Sequence, residues 1–292
     1  MNGVKISGGL CNQMFQYAFI AGTGRLFFLE KEGAPIELYK YFKIKKNIFY
    51  FIDRVFFDHG GCKLFFSHYL RKTFYAVIKK LFISKTVSVS NTDKPVIQHT
   101  KPNGVLFEGY FQSPLYFMDN INLVFKLFEL KGSVTRAYNY SYNFLNQKSR
   151  KVAVHIRRTD YVSLAHLNLG GADLSIPLSY YHEMIKKIHD DNNYYIFISD
   201  EPDIISAEFA YINNKYVSKD TAIVDFQHML HADICLIANS TFSWWAAYLN
   251  KNPGKVVYCP EKFLGFRTTE EYPVNIYPGD WIQIPVSTQI KQ

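Results

Sequence analysis

Residues 152–160 read Val152-Ala153-Val154-His155-Ile156-Arg157-Arg158-Thr159-Asp160. The β-branched residues Val152, Val154 and Ile156 predict a short buried strand. Charged side chains follow where that strand ends, and the forked guanidinium group of arginine suits phosphate or carboxylate oxygens. Neighbouring side chains on a strand point to opposite faces, so one arginine is expected to meet a ligand while the other packs or pairs. This stretch alone fits a surface Arg-Asp pair beside an ordinary strand equally well.

Strands alternate with helices along the chain. A strand at residues 4–6 leads through a glycine loop, residues 7–13, into an apolar segment at 14–29 that is predicted to be helical. Beyond residue 160 the predicted order is helix 177–190, strand 194–198, helix 220–232, strand 234–238, helix 242–249 and strand 255–258. This alternation predicts an α/β fold with mostly parallel sheets, which bind ligands beyond the carboxyl ends of their strands.

A second polar run, Asn239-Ser240-Thr241-Phe242-Ser243, follows the predicted strand at 234–238 and begins a predicted helix. Hydroxyl groups and free N–H groups at a helix N-terminus form an anion site, although Ser240 or Thr241 alone fits plain helix capping. Because this run and residues 155–160 are expected at the same sheet edge, together they favour a phosphate-containing ligand. The glycine loop offers Gly9, Asn12 and Gln13, for which turn and capping roles are the simpler interpretation.

The length of 292 residues favours two domains, which we expect at residues 1–140 and 141–292, with the polar segment 131–151 as linker. Residues 40–101 hold 13 Lys/Arg against 3 Asp/Glu, together with 13 Phe/Tyr. A basic aromatic segment is typical of an anionic membrane surface, but amphipathic helices with solvated lysines have the same composition. Nucleic acid is not expected as a partner, because no groove-reading or RNA-binding motif accompanies the charge.

The sequence also bears on compartment and metals. It has neither a signal-peptide pattern near Met1 nor a run of about 18 apolar residues, so we expect a cytoplasmic protein. The cysteines lack metal-site spacing and are expected to be reduced thiols; they are Cys11, Cys62, Cys235 and Cys259. No third ligand accompanies His228 and His231 with metal-site spacing, and we expect no metal.

Three segments resemble the hallmark motifs of the bacterial α-1,2-fucosyltransferases, glycosyltransferase family 11. They are residues 8–18 (Gly-Gly-Leu-Cys-Asn-Gln-Met-Phe-Gln-Tyr-Ala), residues 155–161 (His-Ile-Arg-Arg-Thr-Asp-Tyr) and residues 238–247 (Ala-Asn-Ser-Thr-Phe-Ser-Trp-Trp-Ala-Ala). Their order and spacing also fit, and residues 40–101 resemble the family least. The resemblance implies two Rossmann-like domains of the GT-B type, with the active site in the inter-domain cleft. It assigns the acceptor to the N-terminal domain and GDP-fucose to the C-terminal domain.

The resemblance also implies a reaction. L-fucose passes from GDP-β-L-fucose to the 2-hydroxyl of a galactoside, with inversion, an α-1,2 linkage and no metal or other cofactor. Arg157 and Arg158 are implied to contact the diphosphate, with residues 240–243 near the β-phosphate. Similar motifs in the wider superfamily imply that His155 and Asp225 contact guanine, and Gly9, Asn12 and Gln13 complete the expected donor-binding set. The expected acceptor is a galactose-terminated glycan, and a lipid-linked form would suit a protein held at the inner face of the membrane.

One residue departs from the family pattern: Cys11 stands where the family usually has the third glycine of Gly-Gly-Leu-Gly-Asn-Gln. If that position needs positive φ, cysteine strains it; if not, the thiol narrows the cleft beside the sugar. The catalytic base is open between Asp160, a residue of the N-terminal half and water, and Asp160 has orientation of an arginine as its alternative role. Two other functions stay open: a GDP-sugar-binding protein without transfer, and a membrane-surface interaction protein that uses residues 40–101.

Overall fold

The computed structural model describes residues 1–31, 36–44, 48–57, 67–95, 102–268 and 270–287. The chain divides into two compact units, Met1–Lys131 and Gly132–Gln292. The predicted boundary after residue 140 falls inside the first helix of the second unit, Gly132–Ser141. The segment predicted to be a linker is therefore largely helical, and a polar composition alone did not exclude a helix.

The first unit is built on a parallel sheet of four strands in the order β2-β1-β4-β3. The strands are β1 Asn2–Ile6, β2 Phe27–Lys31, β3 Lys85–Ser88 and β4 Val105–Glu108. The helices are α1 Leu10–Gly22, α2 Leu38–Tyr41, α3 Ile48–Phe57, α4 Ser67–Phe82 and α5 Ile121–Leu127. Residues 40–101, for which amphipathic helices were one of the two interpretations, thus include the helices α3 and α4.

Helix α1 ends earlier than the apolar pattern predicts. It stops at Gly22 instead of continuing to residue 29. Gly24 adopts a left-handed conformation with φ 61°, which glycine tolerates without steric strain, and the chain then returns as β2. Residues Phe27–Lys31 pair with β1 in parallel register, Val4 opposite Leu29. The apolar run 14–29 therefore combines a helix and a buried strand that share one composition.

The second unit holds a parallel sheet of six strands in the order β10-β9-β8-β5-β6-β7. Its strands are β5 Arg150–Ile156, β6 Asn193–Ser199, β7 Lys215–Val217, β8 Ile234–Leu236, β9 Val256–Pro260 and β10 Ile282–Ile284. Its helices are α6 Gly132–Ser141, α7 Leu178–Lys187, α8 Pro202–Glu208, α9 Ala222–Leu230 and α10 Thr241–Leu249. The predicted parallel α/β class is confirmed, although β7, β10 and α8 were not predicted.

Strand β5 lies in the middle of this sheet and is buried on both faces. Val152, Val154 and Ile156 are fully buried in the main hydrophobic cluster of the unit, and His155 on the opposite face is only 4% exposed. A β-branched run of this kind fits a strand covered on both sides. The strand predicted at residues 152–156 is confirmed, and its carboxyl end fixes where Arg157 and Arg158 begin.

Two further expectations concern membranes and cysteines. Within the described residues, no helix is both long enough and apolar enough to cross a membrane. Cys11, Cys235 and Cys259 are buried free thiols, whereas Cys62 lies outside the described residues.

Candidate functional site

The carboxyl ends of three neighbouring strands bring the polar motifs of the second unit to one edge. Strand β5 pairs with β6, with Ile156 opposite Ser199, and with β8, with Val154 opposite Leu236. The parallel direction of these strands places their carboxyl ends together, where open α/β sheets bind ligands. The residues that follow are Arg157 and Arg158 after β5, Asp200 and Glu201 after β6, and Asn239 and Ser240 after β8.

The side chain of Asp200 holds the turn that follows β5. Its carboxylate accepts hydrogen bonds from the backbone N–H of Arg158 at 3.1 Å and of Thr159 at 3.0 Å. The Thr159 hydroxyl donates a third bond at 2.5 Å. Burial works to raise the pKa of Asp200, but these donors and the Arg157 charge outweigh it and hold the pKa below its usual range. Asp200 is therefore ionised and fixes the backbone that carries the arginines.

Both arginines are paired with carboxylates through their Nε atoms. Arg157 Nε lies 2.7 Å from Asp160 Oδ1 and 3.5 Å from Asp200 Oδ2. Arg158 Nε lies 2.5 Å from Glu201 Oε2. The two arginine side chains are 34% and 28% exposed, and within the described residues the hydrogen bonds of both side chains are made by Nε and none by the terminal Nη atoms. Each guanidinium group is thus held through its Nε atom, and its Nη atoms can donate hydrogen bonds to an anion.

The turn after β5 lies next to the N-terminus of α10. Ser240 is the N-cap of α10, and its hydroxyl accepts from the N–H of Phe242 at 3.4 Å. Burial raises the pKa of Tyr161, in the 3₁₀ helix Thr159–Ser163, to about 12. The two motifs that the sequence placed at one edge are in contact through the rings of His155 and Phe242, and the positive end of the α10 dipole lies at that edge.

The neighbouring residues of the same motif differ in their availability. Ser243 is fully buried, and its hydroxyl donates to the carbonyls of Ala238 and Ser240. Asn239 is also fully buried; its Nδ2 donates to the carbonyl of Leu174 at 2.8 Å, while its Oδ1 has no partner. Ser243 thus stabilises the start of α10, whereas Thr241 is partly exposed there.

His155 is held as a neutral ring next to the α10 motif. Its ring centroid lies 5.3 Å from that of Phe242. Burial, helped by the charge of Arg157, lowers its pKa to about 3, so the imidazole is uncharged at neutral pH. Its Nδ1 is buried without a partner, an arrangement that typically costs about 1–3 kcal/mol and recurs at functional sites.

Asp225 lies in the first turn of α9 and belongs to a buried polar network. Its Oδ1 accepts from the Ser218 hydroxyl at 2.5 Å. Burial raises its pKa to about 7, and the charge of Asp220 adds to the shift. Phe226 next to it packs on Phe242, with ring centroids 5.7 Å apart, so α9 and α10 meet beside His155. A carboxyl group with a pKa near neutrality is a common mark of a binding or catalytic site.

The same network contains a group with metal-ligand geometry that the sequence reasoning missed. Ligand atoms of Asp220, Asp225 and His228 lie within 4.8 Å of one another, whereas His231 is not part of the group. Spacing along the chain could not reveal it, because Asp220 is in a loop and the other two are on α9. Asp220 already accepts from Tyr142 at 2.5 Å and Tyr216 at 2.7 Å. These bonds satisfy the carboxylate within the protein, so the cluster is stable as a hydrogen-bond network.

The glycine loop belongs to the first unit, and its amide side chains are used within the protein. Gln13 is 1% exposed; its Nε2 donates to the carbonyl of Gly8, and its Oε1 accepts from the N–H of Glu37. Asn12 accepts from Gln112 at 3.0 Å. Gly8 has φ 72° and needs to be glycine, whereas the exposed Gly9 caps α1 with extended backbone. Gly9 and the adjoining helix N-terminus are the part of the loop that remains accessible.

Cys11 creates no backbone strain. It lies in the first turn of α1 and is 6% exposed, with helical backbone rather than positive φ. Burial, together with the Glu37 charge, raises the pKa of its thiol, which is therefore un-ionised and unreactive. The alternative that cysteine strains a positive-φ backbone at this position is therefore excluded.

Comparisons with known proteins agree with these observations. The model of the family described as glycosyl transferase family 11 matches residues 1–284. The O-antigen biosynthesis glycosyltransferase WbnK of Escherichia coli is 28% identical over 170 residues, which are 55% of this chain and 56% of that protein. The α-1,2-colitosyltransferase of Escherichia coli is 26% identical over 299 residues, 96% of this chain and 97% of that protein.

The fold has a counterpart among solved structures. Arabidopsis thaliana FUT1, solved as a mutant in complex with GDP, superposes with a TM-score of 0.51 at 13% identity, over 88% of this chain and 70% of that chain. At this identity the similarity concerns the fold, and it confirms the predicted α/β class of the GT-B type. The match to the family model over nearly the whole sequence shows that this chain belongs to glycosyltransferase family 11.

Proposed function

We propose that this protein is a galactoside α-1,2-fucosyltransferase. It transfers L-fucose from GDP-β-L-fucose to the 2-hydroxyl of a galactoside, with inversion at the anomeric carbon. The observation that carries the proposal is the pair Arg157 and Arg158, whose outer nitrogens are uncommitted beside the N-terminus of α10. The name of the relative α-1,2-colitosyltransferase supports the linkage, and the GDP complex of FUT1 supports the nucleotide.

The arginines and the helix end act on the leaving group. As the sugar–phosphate bond breaks, negative charge moves onto the departing GDP. Fixed guanidinium groups and N–H dipoles stabilise that charge best when they are in place before the reaction. Asp200 fixes the backbone after β5, and Glu201 fixes the Nε of Arg158, so the guanidinium group is oriented before the reaction. This arrangement does not depend on a metal ion.

The guanine base is recognised on the α9 side. An ionised Asp225 accepts hydrogen bonds from the guanine N1–H and amino group, and Ser218 orients it. His155 contributes a neutral ring, since an imidazolium would carry a buried charge. Ser240 and Thr241 lie at the start of α10 on the approach to the donor, whereas the fully buried Asn239 supports them from behind. Gln13, Asn12 and Ser243 support the loop and the helix in this proposal rather than touching the donor.

The acceptor is assigned to the first unit, and Gly9, which the sequence predicted for the donor, lies at the exposed N-terminus of α1 in that unit. The proton of the acceptor hydroxyl passes to a base, and Asp160 is one candidate. Asp160 is already paired with Arg157 at 2.7 Å, and its side chain is 59% exposed. Because the ion pair with Arg157 already uses this carboxylate, we assign Asp160 to orienting Arg157 and leave the proton to another group or to water.

The experiment is GDP release by the purified protein with GDP-fucose, lactose and EDTA, followed by NMR of the product linkage. Arg158→Ala should lower the rate on the order of 100-fold or more, because one preorganised donor at a developing anion has that effect. The matched control is Arg150→Ala, at the amino end of the same strand and paired with Asp190 at 3.3 Å. An active, folded Arg158→Ala enzyme would refute the assignment. Donor binding without any release would favour the alternative of a binding protein without transfer.

The similarity to the α-1,2-colitosyltransferase suggests a second donor to test. Colitose is L-fucose without its 3-hydroxyl, and the α-1,2-colitosyltransferase is similar over 97% of its length. The assay is therefore run with both GDP-sugars in competition. Preference for GDP-fucose supports the proposal, whereas a clear preference for GDP-colitose would change the donor and leave the fold and the site as described.

Helix α4 supports the further proposal of a membrane-facing surface and a lipid-linked acceptor. Its outer side exposes Leu70 (51%), Val77 (51%) and Leu81 (68%), together with the lysines Lys72 and Lys80. Apolar residues beside lysines on one helix are typical of interfacial binding to anionic lipid. Vesicle flotation with phosphatidylglycerol should retain the protein, and Leu81→Glu should release it. If the vesicles retained the Leu81→Glu variant, or did not retain the wild-type protein, this role for α4 would be excluded.

A further inference from the structure

A cavity of about 670 Å³ opens in the second unit, away from the arginines. It lies where the loop after α7, the start of β6 and the loop before β7 meet. Its lining includes His182, His189, Asn193, Tyr211 and Asn213. This volume is within the range of about 300–1,000 Å³ that is usual for small-molecule sites.

The cavity is separate from the proposed donor site. Asn193 is the first residue of β6, and the strand runs for seven residues to Ser199, next to Asp200. At about 3.3 Å per residue, the two ends of β6 are roughly 20 Å apart. A ligand in the cavity therefore occupies the amino-terminal edge of the sheet, whereas the arginines lie at the carboxyl-terminal edge.

An aromatic platform forms one side of the cavity and is held in place. Tyr211 is 60% exposed, and its hydroxyl is hydrogen-bonded to His182 Nδ1 at 2.9 Å. The His182 ring stacks on Tyr211 at 5.7 Å and on Phe209 at 4.5 Å. Its Nε2 meets Glu208 at 2.7 Å. An exposed tyrosine ring that is fixed from behind provides a flat apolar surface with little entropy to lose on binding.

The opposite side supplies uncharged hydrogen-bonding groups. Asn193 is 2% exposed; its Nδ2 donates to the carbonyl of Ile188 and to the Tyr195 hydroxyl, whereas its Oδ1 is buried without a partner. That oxygen has almost no accessible surface, so the amide groups that a ligand can reach belong to the exposed loop before β7. Asn213 lines the same space and is exposed.

The charges at the rim have both signs, so the cavity does not select an ion. His189 is near Asp191, at 3.6 Å, and both side chains are largely exposed. A flat ring next to neutral amides, with charges of both signs at the rim, fits a ligand that has an apolar face and several hydroxyl groups. We propose that this cavity is a second saccharide-binding site, distinct from the donor site and independent of transfer. It would hold a glycan that carries acceptor groups and so raise their local concentration.

The test is NMR of the histidine ring signals during titration with lactose and, separately, N-acetyllactosamine, without donor. The His189 signal, assigned by its loss in His189→Gln, should shift in the wild type. Tyr211→Ala should weaken the affinity roughly tenfold, as expected for losing one stacked ring. The matched control is Tyr140→Ala, since Tyr140 is 90% exposed elsewhere in the same unit.

Each outcome is decisive. A His189 shift that persists in Tyr140→Ala and is lost in Tyr211→Ala supports the site. The absence of a shift with either sugar, or an equal affinity in Tyr211→Ala, overturns it. GDP release with GDP-fucose is measured separately on the same variants, so failure of the proposed transfer and failure of this site are told apart.

Discussion

Replacing Asp200 by asparagine should damage both the stability of the protein and its catalysis. Asp200 Oδ1 accepts from the N–H of Arg158, and Oδ2 accepts from the N–H and the hydroxyl of Thr159. Asparagine keeps one acceptor oxygen, so its NH₂ group faces at least one of the backbone N–H donors; at least one bond is lost, and the remaining bonds lose the negative charge of their acceptor. A hydrogen bond to a charged group contributes about 1.5–3 kcal/mol, and water compensates part of the loss at this 14% exposed side chain. We expect the free energy of unfolding to fall by about 2–4 kcal/mol.

The catalytic effect follows from the position of the arginines. Loss of the turn geometry displaces Arg157 and Arg158, and a displacement of about 1 Å can lower a rate on the order of 100-fold. Urea unfolding at neutral pH gives the first quantity, and GDP release at saturating lactose gives the second. Asp190→Asn is the control, because Asp190 also accepts a backbone N–H, from Asn192 at 2.9 Å, but lies at the other end of β6. That variant should lose some stability and no activity.

The pH dependence gives an independent check. Because the folded pKa of Asp200 is below its usual value, its stabilising effect is present above the unfolded pKa, about 3.9, and is lost as the pH falls through the folded value. The stability difference between wild type and Asp200→Asn should therefore disappear in acid. A folded Asp200→Asn protein with wild-type turnover would refute the positioning role, and an unchanged unfolding midpoint would refute the hydrogen-bond argument.

Three further predictions concern single residues. Since the pKa of Asp225 is raised to about 7, GDP-fucose affinity should weaken up to about tenfold per pH unit below that value, and calorimetry should find no such trend in Asp225→Asn. Cys11→Gly places glycine inside α1 and should lower the unfolding free energy by about 1 kcal/mol with unchanged GDP release, whereas a large gain in rate would mean that the thiol obstructs the cleft. Asp160→Asn should alter donor affinity a few-fold and turnover little. A loss of turnover on the order of 100-fold at unchanged donor affinity is what removal of the base would cause, and it would identify Asp160 as the base.

The parts of the fold that could be predicted are those where one segment carries its own pattern. The β-branched run of β5 and the amphipathic α7 are of this kind, because a buried strand and a half-buried helix constrain their own side chains. Strand β2 was missed because its apolar residues follow α1 after only a short turn at Gly24. Helix α6 was missed because its polar sequence, Gly132–Ser141, resembles a linker.

The site was predicted in outline but not in its supporting contacts. The rule that ligands bind at the carboxyl ends of strands brought the Arg157-Arg158 pair and the α10 motif together, and the contact between the rings of His155 and Phe242 agrees with it. Asp200 received no role, although it ends a predicted strand at the same edge. Its contact with Arg158 spans 42 positions of the chain and depends on the register of β5 with β6, which no local pattern specifies.

The charges around the arginines bear on how a donor would meet them. The pair is surrounded by three carboxylates, Asp160, Asp200 and Glu201, so these side chains carry more negative than positive charge. A diphosphate adds to that negative charge, and under the proposed function it binds because its contacts with the outer nitrogens of the arginines outweigh the repulsion. Asp200 is fixed by backbone donors, whereas the ion pairs of Asp160, 59% exposed, and Glu201, 29% exposed, contribute little stability by themselves. In the proposed function the carboxylates therefore serve to orient two guanidinium groups before the donor binds, which is the condition for stabilising the charge of the leaving group.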